Sequence, residues 1–198
     1  MFRQVEPPRL RPARREDAPD LARLVDIAGE GLASYLWARG TRPGESAFDV
    51  GVRRAARDEG GFSWRNAVIA EVGDAVAGAL IVYRIGETPK PLDDLPAMFR
   101  PLQALENQAP GTLYVNVLAT YPDFRRRGVA SRLLAEAEVR AGTAGLSLIV
   151  AEGNAPAIAL YRAFGFAEAG RAPIVKEGWA CASDSWVLML KPLRATRA

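Results

Sequence analysis

Three consecutive arginines, Arg125, Arg126 and Arg127, stand directly before Gly128, Val129 and Ala130. Around them, Tyr121 to Leu134 reads as a turn at Pro122-Asp123, a basic loop and the start of an apolar-periodic helix. An apolar strand candidate, Thr112 to Leu118, lies just upstream. Strand, tight basic loop and helix start together make an arrangement that binds phosphate. The first N–H groups of a helix have no partner inside it, and the helix dipole adds positive potential there. Small residues at Gly128 and Ala130 let the backbone come close to a ligand. Guanidinium forks match phosphate oxygens. Three arginines by themselves would read as a solvated basic turn; Gly128 and Ala130 behind them shift the reading to phosphate. The charge is local and no comb of aromatic residues flanks it for base stacking, so nucleic acid is not the expected partner.

The elements that must position this loop are legible from periodicity and punctuation. Arg9 to Ala13 predicts a short edge strand near Pro12. Ala18 to Ala28 has helical spacing at Leu21, Leu24, Val25 and Ala28, with Asp17 as its N-cap. Gly29 to Gly44 reads as irregular. Ser46 to Asp58 predicts a helix capped by Ser46 and ended by Gly60-Gly61. Ala67 to Val72 and Ala75 to Tyr83 read as strands around a Gly73-Asp74 hairpin turn. The stretch from Gly86 to Pro110 holds five prolines and reads as an insertion with one or two helical turns at most. A helix over Gly128 to Ala141, a buried strand over Leu146 to Ala151 and a helix over Ala155 to Phe164 follow. The last of these has Asn154 as its cap and Pro156 in its first turn. Strands near Phe166 to Arg171 and Ser185 to Leu190 complete the pattern. Alternating strands and helices in the second half predict an α/β layer with partly parallel strands.

Composition narrows the chemistry. At 198 residues, 49% hydrophobic and 25% charged, the chain reads as one globular domain, 1–198, with the insertion at about 86–110. A net charge of +3 gives no general pull toward nucleic acid or cationic acceptors. There is no histidine, which excludes His-based triads and leaves zinc with only one soft ligand, Cys181, so no metal is expected. The single cysteine, Cys181, fits a reducing compartment. The absence of a long apolar run argues against a membrane span, and the proline-rich, charged segment Met1 to Arg15 is unlike a signal peptide. A cytoplasmic location is the resulting expectation.

At this point the sequence resembles the GNAT family of acetyl-coenzyme A-dependent N-acetyltransferases. Arg125, Gly128 and Ala130 match the family's pyrophosphate loop. Asn154, Ala157, Leu160, Tyr161, Gly165 and Phe166 match its downstream N-x-x-A-x-x-L-Y-x-x-x-G-F pattern. The resemblance implies a mixed central sheet with helices on both faces. Acetyl-coenzyme A would lie between the strands Thr112–Leu118 and Leu146–Ala151. It further implies that Arg125, Arg126, Arg127, Gly128, Val129 and Ala130 grip the pyrophosphate. Backbone groups of Leu118, Ala119 and Thr120 would hold the pantetheine arm and polarise the acetyl carbonyl. Asn154 would contact pantetheine or substrate besides capping its helix. Tyr161 would protonate the departing thiolate, a reasonable task for a phenol titrating near ~10 beside a thiol near ~8.5. The implied activity is direct ternary-complex transfer of acetyl to a primary amine on a small molecule or a peptide N-terminus. A homodimer is common among such proteins.

The general base is less defined. Relatives that acetylate protein N-termini carry a glutamate five residues before the capping asparagine, where this chain has Ile149. Glu71, Glu106 and Glu152 remain candidates, as does a water chain. Cys181 is not an expected nucleophile, because no histidine is present to activate it. Of the aromatic residues Tyr35, Trp37, Phe48, Phe62 and Trp64, one or two would wall an acceptor pocket and the rest pack helices. The segment Lys176 to Trp179 is a candidate closing element. Three rival readings share some of these features: a transferase for a larger acyl group, a non-catalytic acyl-coenzyme A sensor, and a dinucleotide-binding domain. The last lacks a G-x-G-x-x-G after the strand.

Overall fold

The computed structural model describes residues 7–192. Met1 to Glu6, the start of the proline-rich N-terminal segment, lie outside the described residues. Seven strands form a mixed sheet in the order β1-β2-β3-β4-β5-β7-β6. They are β1 (Arg9–Pro12), β2 (Ala67–Val72), β3 (Ala75–Arg84), β4 (Leu113–Thr120), β5 (Leu146–Ala151), β6 (Ala167–Pro173) and β7 (Ser185–Lys191). Strands β4 and β5 pair in parallel, with Leu113 opposite Leu146. The pairs β1–β2, β2–β3, β5–β7 and β6–β7 are antiparallel. The partly parallel sheet expected from the element order is therefore present, with β1 at its edge. Among the described residues no helix is long and apolar enough to cross a membrane.

By its internal contacts the chain divides into two compact units, residues 7–82 with 117–136 and residues 83–116 with 137–192. In the first, α1 (Ala18–Ala28) buries Leu21 and Leu24 against Ile69, Ala79 and Ile81. Ser46 caps α3 (Ala47–Ala55), accepting from the Asp49 N–H at 3.2 Å. This helix stops at Ala55, ahead of the Gly60-Gly61 pair assigned to end it. Gly73 and Asp74 join β2 to β3 with Val72 opposite Ala75, as the hairpin signal predicts.

Two expectations in this unit are corrected. The stretch from Gly29 to Gly44 is not wholly irregular; it holds α2 (Leu32–Ala38), led by Gly31 at φ 84°. Its seven residues are too few to show a period, and its N-cap glycine offers no side chain; Asp26 of α1 instead accepts from the Ser34 N–H at 2.7 Å. It is also held by the buried Trp37, whose ring stacks on Phe62 at 5.9 Å and covers Gly51 of α3. Asp17 sits at the N-cap of α1, yet its side chain does not cap that helix. It turns back to accept from the Arg14 N–H at 2.6 Å and from Arg11 Nη1 at 2.7 Å and Nη2 at 2.8 Å.

Arg11 also donates from Nε to Glu71 at 2.6 Å, and Arg9 Nη2 donates to the same carboxylate at 2.6 Å. Asp17 and Glu71 are each 8% exposed. Burial pulls the Asp17 carboxyl upward, but its bonds to Arg11 and the Arg14 N–H outweigh this and hold it below the usual range. The Arg11 bond is the main cause holding Glu71 below its usual range. Both folded values lie below the unfolded ones, near ~3.9 and ~4.3. Their stabilisation is therefore complete above about pH 5 and is lost as pH falls through the folded values. Chemical denaturation between pH 3 and 7 is expected to show this acid loss, and Arg11→Met to flatten it.

In the second unit the insertion contains α4 (Arg100–Glu106), a short helix with Pro101 in its first turn. It packs on β5, β6 and β7. A side chain at Gly170 of β6 would meet Leu105 and Gln108, so this glycine admits the helix closely. Asn154 caps α6 (Ala155–Ala163), accepting from the Ala157 N–H at 3.3 Å. Between β6 and β7, Lys176 pairs with Asp184 at 2.8 Å and Trp179 stacks on Trp186 at 5.9 Å.

Candidate functional site

The basic loop lies in the first unit and is anchored on both sides. Ahead of it, the Tyr121 N–H donates to Ala77 O at 2.9 Å and the Tyr121 hydroxyl donates to Asp20 at 2.6 Å. Burial, and then the bond to Asp20, raise this phenol well above its ordinary value. A 3-10 turn, Pro122–Phe124, follows, and the Arg125 N–H returns to Pro122 O at 3.2 Å. Behind the loop, buried Val129 opens α5 (Val129–Ala141). The Arg132 N–H donates to Gly128 O at 2.9 Å. The amides of Val129, Ala130 and Ser131 precede that bond, as first-turn amides do.

Within the loop, Arg126 and Gly128 both take left-handed backbone, at φ 61° and 78°. No heavy atom lies within 4 Å of the position a side chain at Gly128 would take. Arg125, Arg126 and Arg127 are exposed. Among the described residues none of them makes an ion pair. Arg127 lies over the Phe124 ring at 5.5 Å. The end of β4 belongs to the same unit. There Leu118 and Thr120 are half-buried and Ala119 is buried, the alternation expected of a strand. The Thr120 Oγ1 is a buried polar atom without a hydrogen-bond partner among the described residues. An open glycine cradle, three exposed guanidinium groups outside any ion pair among the described residues, and an orphaned hydroxyl fit a diphosphate-bearing cofactor of the coenzyme A kind.

The second unit holds the other residues marked in the sequence. Tyr161 sits on α6, two turns beyond Asn154. It is 8% exposed, with its ring tilted against Phe166 at 5.8 Å. Burial pushes its phenol up to about 12, so it holds its proton at neutral pH. No hydrogen bond engages its hydroxyl among the described residues.

The three carboxylates named as bases now separate. Glu71 is held by Arg9 and Arg11. Glu152 pairs with Arg171 at 3.1 Å and accepts from the Asp184 N–H at 3.2 Å. Glu106 stands apart from cationic forks and accepts from the Tyr83 hydroxyl at 3.3 Å. Sequence reading did not single out Tyr83 or Tyr114, whose rings meet at 5.2 Å. Strand alternation puts Tyr114 on the same side of β4 as Leu118, which was the available signal. Of the aromatic residues weighed as pocket walls, Trp37 stacks with Phe62, and Tyr35, Phe48 and Trp64 each lie under an arginine.

Comparison with solved structures finds the same fold. An N-acetyltransferase from Staphylococcus aureus Mu50 aligns with 21% identity and a TM-score of 0.65, covering 92% of this chain and 99% of that one. A GNAT-family acetyltransferase from Bacillus cereus aligns with 17% identity and a TM-score of 0.56, covering 94% and 99%. No curated protein matches the sequence. The sequence model described as the Acetyltransferase (GNAT) family matches residues 36–166, a span that includes the loop, β4, β5 and α6. With the loop, the capping asparagine and the helical tyrosine all inside that span, the chain belongs to the GNAT acetyltransferase family.

Proposed function

We propose that this protein, working as one domain, transfers acetyl from acetyl-coenzyme A directly to a primary amine. The observation that carries the reading is the open left-handed cradle at Gly128 beside three exposed arginines. The thioester supplies an activated acyl group. The amides of Arg126 to Ala130 would bind the diphosphate, and the guanidinium groups would neutralise it. Backbone at Leu118, Ala119 and Thr120 would align the acyl arm and face the developing oxyanion. Holding both reactants in register supplies much of the rate. Tyr161 would hand its proton to the departing sulfur, and Asn154 would fix the start of the helix that carries it. A small amine or a peptide N-terminus is the acceptor class.

Calorimetry with coenzyme A tests this reading. Wild type is expected to bind, and Gly128→Val to weaken binding at least about tenfold, or about 1.4 kcal/mol. The new side chain has free space, so the variant should fold, with a cost of about 1–2 kcal/mol from its left-handed backbone. Absence of heat with wild type would remove the proposal. Binding without coenzyme A release across polyamines, amino acids, aminoglycosides and peptides would favour an acyl-coenzyme A sensor. Turnover only with longer thioesters would favour a larger acyl group.

A further inference from the structure

The inference concerns the fate of the acceptor's proton and rests on the acyl-transfer reading. An alkylamine arrives protonated at neutral pH and must lose a proton before its lone pair can attack. Of the carboxylates weighed for this task, Glu71 and Glu152 are tied to arginines. Glu106 is half-buried on α4, with one oxygen accepting from the Tyr83 hydroxyl at 3.3 Å. The Tyr83 ring lies against Tyr114 at 5.2 Å. Burial is the main cause that raises the Tyr114 phenol, with Tyr83, then Glu106, then Tyr161 adding to it. Glu106, Tyr83 and Tyr114 thus form one contiguous chain, in the same compact unit as Tyr161, the phenol proposed as the acid.

We infer that Glu106, oriented by Tyr83, accepts the proton released by the acceptor amine. Two protons leave the nitrogen as the C–N bond forms and the C–S bond breaks. One passes to the Glu106 carboxylate and then to solvent. The other replaces the proton that Tyr161 gives to sulfur. The products are the amide, the free thiol and one proton in solution. Tyr83 is a positioning residue: its hydroxyl holds the carboxylate and does not meet the reactants.

The surroundings suit a base. Burial raises the Glu106 carboxyl above its ordinary value. Lys90, Tyr83 and Gln103 act against that rise without cancelling it. The charged side chains of the strands on which α4 packs are paired elsewhere: Glu168 with Arg171 on β6, and Lys191 of β7 with Glu138. A base must be deprotonated to act, so kcat/KM should rise with pH through a raised carboxyl value and then level off.

The test uses the full chain, acetyl-coenzyme A, and two acceptors: propylamine, protonated at neutral pH, and hydroxylamine, largely neutral there. Glu106→Gln is expected to lose about a hundredfold with propylamine at pH 7 and less than about threefold with hydroxylamine. It should also lose the acidic limb of the pH profile. Tyr83→Phe should move that limb rather than abolish it. Independently of turnover, carbon NMR of labelled glutamate in wild type should show the Glu106 carboxyl titrating above the other glutamates. Equal losses with both amines, an unchanged limb in Glu106→Gln, or an ordinary carboxyl titration would overturn the inference while leaving acyl transfer standing. If wild type releases no coenzyme A with any amine, the transfer reading itself falls and carries this inference with it.

Discussion

Replacing Tyr161 by phenylalanine is expected to lower kcat by about 10² to 10⁴-fold, while coenzyme A affinity changes less than about twofold. The substitution removes one oxygen and keeps the ring that packs on Phe166. No described group hydrogen-bonds to that oxygen, so none is stranded by its loss. Stability should therefore stay within about 0.5 kcal/mol of wild type. The phenol is neutral at working pH because burial holds it up at about 12. Its loss removes a proton donor rather than a charge, and the effect should persist across pH 6 to 9. Pre-steady-state release of coenzyme A, with melting as the control, reads both quantities. A variant with unchanged kcat would strip Tyr161 of its role.

Gly78→Ala is expected to destabilise the protein by about 3 kcal/mol, roughly 10 °C in Tm, and to weaken coenzyme A binding. A methyl group there would stand 2.5 Å from the Ala119 carbonyl oxygen, 3.3 Å from the Thr120 Cα and 3.1 Å from Val129 Cγ1. Two of these neighbours are backbone atoms at the end of β4, and the third is the buried side chain that opens α5. None is the flexible tip of a long side chain, so relief must come from moving the strand end or the helix start. These are the two elements that frame the basic loop. Gly86→Ala is the matched control: its side-chain position is empty and its backbone is not left-handed. It should melt within about 0.5 kcal/mol of wild type. Equal melting of the two variants would contradict the close approach at Gly78.

The elements whose signals are local were legible in the residues. The Gly73-Asp74 turn set the β2–β3 hairpin, the apolar run Leu146 to Ala151 is a buried strand, and Ser46 and Asn154 cap their helices. The basic loop ahead of α5 was legible for the same reason, since its arginines, glycine and alanine lie within six consecutive positions. What depends on distant partners was not. Asp17 looks like a cap, but Arg11 and the Arg14 amide draw its side chain away. The helix at Leu32–Ala38 depends on Trp37 finding Phe62 and Gly51, not on propensity. Glu71, Glu106 and Glu152 were indistinguishable as letters. Their neighbours separate them: arginines occupy two, and a tyrosine from β3 holds the third.

The paired indoles of Trp179 and Trp186 lie nearly parallel, 12° apart, with one ring on the segment that joins β6 to β7 and the other on β7 itself. Two such chromophores at that separation couple their transitions, with a circular-dichroism couplet whose size follows the skew of their transition moments. The connecting segment thus carries its own unlabelled optical reporter. Any rearrangement that parts the rings would quench the couplet while leaving the strand beneath intact.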